Sequence, residues 1–97
     1  MSQCDDILAP LRAKLPELRR RYPIASLGLF GSFARNEARA DSDLDILVEF
    51  DGPISLSQFL ALEEEVAALT GHKVDFVSRR ALKPYIGDRI MRELVTV

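Results

Sequence analysis

The chain has 97 residues, 47% of them hydrophobic and 29% charged, with a formal net charge of −2. That length suits one domain, spanning 1–97, whose modest core leaves no room for a second unit to enclose a substrate. The slight acidic excess argues against a general nucleic-acid or membrane binder, and the lack of both an apolar span and a secretory signal in MSQCDDILAP leads to an expected cytoplasmic location.

Asp5 to Tyr22 is patterned as a helix, with Ile7, Leu11, Leu15 and Leu18 at helical spacing. Pro10 and Pro16 predict a break into two pieces, Pro16 sitting in a first turn. Cys4, the single cysteine, cannot form an internal disulfide and reads as a free thiol near a frayed terminus. Arg19, Arg20 and Arg21 either complement the helix dipole or form a binding patch.

Ala25 to Phe30 is a short apolar run closed by Gly31, as in a buried strand. In the next strand Leu44, Ile46, Val48 and Phe50 alternate with Asp43, Asp45, Leu47 and Glu49, so one face enters the core and the carboxylates take the other. Ser55 and Gln58 can form a capping box for a helix through Thr70, with Phe59, Leu62, Val66 and Leu69 inward, Glu63 to Glu65 solvated and Gly71 as its stop. Lys73 to Val77 alternates again, Val77 following the polar side and implying cover there, and a last helix runs from Pro84 to Leu94. The expected fold is α/β (α+β), a small mixed sheet of three to four strands packed with helices.

Asp43 and Asp45, two residues apart on a strand, point the same way with Cα atoms about 6.6 Å apart, so their carboxylates can converge on a hard ion such as Mg²⁺. Asp75 is the candidate third carboxylate, flanked by Val74 and Phe76, where burial without a metal or arginine partner would be costly. Gly31, ending its strand, lets backbone approach a ligand closely, and Ser32 opens a short helix over Phe33, Ala34 and Arg35 whose free N–H groups favour phosphate, while Arg35 and Ser42 could bond a triphosphate or serve locally, Ser42 as a turn cap. Chance yields about 0.65 Asp-x-Asp patterns and 0.36 Gly-Ser pairs in such a chain, but fewer than roughly 0.01 of both at this separation, so the combination carries the signal. His72 reads as a loop residue and Phe33 as core.

With these residues in place, GLFGSFARNEARADSDLDILVEF together with LEEEVAALTGHKVDFVSRRALKPYIGDRIMREL resembles the minimal nucleotidyltransferase (MNT) domain of the DNA polymerase beta-like nucleotidyltransferase superfamily, across most of the chain. The resemblance implies a polymerase beta palm-like fold and transfer of a nucleotide, AMP from ATP, to a hydroxyl, using two Mg²⁺ ions with Mn²⁺ as an alternative. Asp43, Asp45 and Asp75 would hold the ions, Asp75 could take the acceptor's proton, and Gly31, Ser32, Arg35 and Ser42 would hold the nucleotide. It also implies a HEPN-type toxin partner, adenylylated on a tyrosine, in a homo- or hetero-oligomer. One departure is Asn36, where the family commonly has glycine; Asn tolerates the left-handed conformation that such a helix stop needs.

Two other readings compete. A non-catalytic antitoxin could cover its partner, using the apolar set Tyr85, Ile86, Ile90, Met91 and Leu94. A free-standing enzyme acting on a small molecule would need an acceptor domain that this length does not accommodate.

Overall fold

A computed structural model describes residues 2–79 and 84–97. The elements are α1 (Gln3–Arg21), β1 (Ile24–Phe30), α2 (Gly31–Ala34), β2 (Leu44–Phe50), α3 (Leu56–Thr70), β3 (Val74–Ser78), α4 (Pro84–Glu93) and β4 (Val95–Thr96).

The start of α1 is fixed by Ser2, whose hydroxyl accepts the Asp5 N–H at 3.0 Å, and Asp5 and Asp6 complement the positive end of the dipole. Cys4 is therefore not frayed; it is buried in the first turn, and burial pushes its thiol pKa up. The helix also runs unbroken through Pro10 and Pro16, against the expected break. Each proline costs an interior helix about 3 kcal/mol, but both lie off the stripe of Ile7, Leu8, Leu11 and Leu18, whose burial fixes the helix axis along its full length. The arginine run closes the helix: Arg19 donates to the Ala25 carbonyl at 3.1 Å and Arg21 to Glu65 at 2.6 Å.

The sheet has the order β3-β2-β1-β4. β1 is antiparallel to both β2 and β4, whereas β2 and β3 are parallel, so the sheet is mixed. Period two decides its faces. Leu27, Leu29, Leu44, Ile46, Val48 and Val74 join the main core with residues of α1 and α3. Phe30 and Leu47 face the other way and pack with Ile90, Val77 and Leu94. This second cluster is the cover implied by Val77, and it places α4 on the face to which the aspartates belong. Ile90 is buried and Leu94 half-buried, so these two members of the apolar set are core, while Met91 is 44% exposed. The side chains of Tyr85 and Ile86 lie outside the described residues.

α3 begins with the expected Ser55–Gln58 capping box and ends at Gly71 in the left-handed region (φ 73°). Leu62 and Val66 are its buried residues, with Phe59 and Leu69 half-buried beside them. Glu65 is not merely solvated. Its carboxylate receives Arg21 and the Tyr22 hydroxyl, the latter at 2.5 Å, tying the end of α1 to α3.

The bonds from Arg21 and then Tyr22 hold the Glu65 carboxyl below its ordinary pKa. A depressed carboxylate contributes stability that is fully present above the unfolded value, about 4.3, and is lost as pH falls through the folded value. Tyr22→Phe should lower the unfolding free energy at neutral pH by about 1 kcal/mol and reduce the further loss on acidification, as read by urea denaturation across pH.

Candidate active site

β1 ends where α2 begins, and the turn between them is made by Gly31 at φ +75°, a conformation that L side chains rarely adopt. A methyl group built on Gly31 would overlap the Asp45 carboxylate. Glycine is thus required twice here, once by the backbone and once by a carboxylate lying against it. Ser32 follows, half-buried, and Phe33 is core, its ring 4.7 Å from that of His72.

Asn36 takes the left-handed conformation (φ 59°) after α2. Its Oδ1 also accepts the Cys4 N–H at 3.0 Å, a bond glycine could not make. Gln3 adds two bonds to Ala38, both 2.9 Å, so the first turn of α1 holds the segment leading towards the aspartates. Ser42 closes a turn in that segment: its hydroxyl accepts the Arg39 N–H at 2.8 Å and its own N–H reaches the Arg39 carbonyl at 3.0 Å.

Asp43 immediately precedes β2, Asp45 lies one residue inside it, and Asp45 is the register partner of Asp75 on β3. Asp45 is half-buried, whereas Asp43 and Asp75 are exposed. Burial was the expected reason to single out Asp75, and that reason fails: parallel register brings it to Asp45, and its carboxylate stands in solvent. Burial first, then the charges of Asp75 and Asp43, push the Asp45 pKa up, with Arg35 opposing them. Among the described residues no three carboxylate, histidine or cysteine side chains are drawn together as a ready metal cage.

The Gly31 N–H, expected to be free, is taken. It donates to Glu93 Oε1 at 3.1 Å, and Arg35 Nη1 donates to Glu93 Oε2 at 2.8 Å. Arg35 also pairs with Glu37 at 3.2 Å. Burial alone would raise the Glu93 pKa, but the bonds from Arg35 and Gly31 together hold it below the ordinary value. The sequence reading passed over Glu93, although one signal was present: an acidic residue in the last turn of a helix opposes the dipole and asks for another partner.

The sequence pattern of the family described as "Nucleotidyltransferase domain" matches residues 11–97. The chain belongs to that nucleotidyltransferase family. It is 43% identical over 97 residues to the protein adenylyltransferase MntA of Thermococcus cleftensis, covering 100% of this chain and 98% of that one. A solved structure described provisionally as a minimal nucleotidyltransferase is 35% identical and superposes with a TM-score of 0.82, covering 100% of this chain and 97% of the other. The MNT antitoxin complex with the tri-AMPylated HEPN toxin of Shewanella oneidensis shares the fold at 19% identity and a TM-score of 0.57, covering 97% of this chain and 67% of that one. This nucleotidyltransferase therefore has the four-stranded mixed sheet of a minimal nucleotidyltransferase, and it is an enzyme of nucleotide transfer.

Gly31→Ala should unfold more easily by at least about 1 kcal/mol, the cost of the left-handed conformation alone, with more from displacement of Asp45. Thermal melts of the variant against the parent protein check this, and an unchanged melting temperature would mean that the turn is not built as described.

Proposed function

We propose that this nucleotidyltransferase transfers AMP from ATP to a tyrosine hydroxyl of a HEPN-type toxin partner and so acts as its antitoxin. The supporting observation is the convergence at one end of the sheet, on the face of α4, of Asp45, its register partner Asp75, and Gly31 against the Asp45 carboxylate. The names of the Thermococcus relative and of the Shewanella complex support protein adenylylation and the toxin partner.

The donor set fits a hard divalent ion. Three carboxylates offer oxygen ligands only, and Mg²⁺ keeps several waters and needs just one or two protein carboxylates beside the substrate phosphates, so a closed cage is not required. The crowding of negative charge around Asp45 is also the condition that a cation relieves. Asp43, Asp45 and Asp75 would hold two Mg²⁺ ions, or Mn²⁺ in their place. When bound, such ions lower the pKa of the acceptor hydroxyl and neutralise charge developing on pyrophosphate.

The remaining work falls to the chain. The Gly31 amide, the Ser32 and Ser42 hydroxyls and the Arg35 guanidinium bind and orient the triphosphate, fixing the α-phosphorus for in-line approach. The acceptor oxygen forms a bond to the α-phosphorus, the bond from that phosphorus to the bridging oxygen of the β-phosphate breaks, and pyrophosphate leaves. Asp75, exposed beside the site, takes the proton released by the hydroxyl. On this reading the acceptor comes on the separate toxin protein, and the working form is then a hetero-oligomer.

With labelled ATP, Mg²⁺ and a HEPN-type toxin as partner, the parent protein should label the partner. Asp43→Asn should lower that rate by at least about 100-fold while leaving the circular dichroism spectrum and melting temperature unchanged. Equal labelling by the variant would refute the carboxylate roles. Tight partner binding without label from any nucleotide would instead favour an antitoxin that works by covering.

A further inference from the structure

Glu93 occupies two of the donors assigned above to the triphosphate. Its carboxylate accepts the Gly31 N–H at 3.1 Å and Arg35 Nη1 at 2.8 Å, as two oxygens of a terminal phosphate would. The placement follows from the sheet. β4 pairs antiparallel with β1 through Gly28 and Thr96 and through Leu29 and Val95, and the same register carried two residues further sets Glu93 opposite Gly31. The backbone around Glu93 is anchored on both sides. Leu94 fills the space a side chain on Gly28 would take, and Ile90, one turn earlier in α4, is buried against Phe30 and Leu47. The Glu93 side chain is 23% exposed, so its carboxylate can swing outward while α4 and β4 stay in place.

The geometry points to Glu93 as an internal stand-in for the terminal phosphates, a carboxylate that closes the nucleotide seat in the free protein and must be displaced by a triphosphate. This rests on the assignment of Gly31 and Arg35 to the nucleotide under Proposed function, and adds to it both a regulation and a selectivity. The single Gly31 N–H cannot serve Glu93 and a phosphate at once, and a phosphate that draws Arg35 to itself loosens the Glu93 ion pair, so part of the binding energy of any nucleotide reaching these donors goes into breaking charge-assisted hydrogen bonds to Glu93. A nucleotide without terminal phosphates does not reach them and does not face that competition. Glu93 thus acts on the part of the nucleotide that distinguishes ATP from AMP, without touching the reacting α-phosphorus.

The test is calorimetric titration of the full chain with a non-hydrolysable ATP analogue and, separately, with AMP, both in Mg²⁺, for the parent protein, Glu93→Gln and Glu93→Ala. Melting curves confirm that each variant is folded. Glu93→Gln keeps an oxygen acceptor for the Gly31 N–H but loses the charge, and should bind the ATP analogue about three- to tenfold more tightly, since charged hydrogen bonds are roughly twice as strong as neutral ones. Glu93→Ala should bind it at least as tightly, and AMP affinity should stay unchanged in both. Unchanged or weaker binding of the ATP analogue by the folded variants would overturn the role of Glu93 and leave the proposed function intact. Equal tightening for AMP would also overturn it, marking a general effect of removing a negative charge. No nucleotide bound by any of the three proteins would overturn this inference together with the proposed function.

Discussion

The candidate site depends on the absence of a side chain at Gly31. The Asp45 carboxylate lies where a methyl group on residue 31 would be, and the backbone there holds a φ that other residues adopt only under strain. That close approach joins two neighbouring strands at one point. β1 brings a turn whose Gly31 N–H donates to Glu93, β2 brings Asp45, and β3, in register with β2, brings Asp75. Widening the turn would separate the Gly31 N–H, the proposed phosphate donor, from the Asp45 carboxylate.

A second constraint is charge. Asp45 is half-buried among like charges, which raises its pKa, and Arg35 opposes them while being bound in turn by Glu93 and Glu37. The free protein thus balances its acidic end with its own arginine and spends its own carboxylate, Glu93, on the donors. On the proposed function, a metal-bound nucleotide would bring both kinds of charge, cations for the aspartates and phosphates for Gly31 and Arg35. Binding would exchange one internally satisfied arrangement for another, and the hydrophobic clusters on the two faces of the sheet hold the frame in which that exchange occurs.

Much of this could be read from residue order because the governing signals are local. The alternation in β2, the capping box at Ser55 and the glycine stop at Gly71 each follow from a few consecutive residues, and each stands where expected. α1 departs from expectation because its two prolines are a local signal overruled by a distant one, the burial of Ile7, Leu8, Leu11 and Leu18 against the rest of the core. β4 has two residues and therefore no period to read. The burial argument for Asp75 is mistaken, and the register that does bring it to Asp45 is not visible in a single segment. Glu93 was missed for the same reason, since its partner is set by the β1–β4 pairing. Asn36 shows the converse case: its tolerance of the left-handed region was foreseeable, but its bond to Cys4 required the packing of α1.

The central claim, which belongs to the proposed function, is that Asp45, its register partner Asp75 and Asp43 just before β2 take up a metal-bound nucleotide beside Gly31. Titration of Mn²⁺ into the full chain with a non-hydrolysable ATP analogue, followed by the electron paramagnetic resonance signal of the ion, tests this most directly. The account predicts saturable Mn²⁺ binding that depends on the nucleotide and is lost together with nucleotide affinity in both Asp43→Asn and Asp45→Asn. Mn²⁺ and nucleotide binding that persists unchanged in the two folded variants would contradict it.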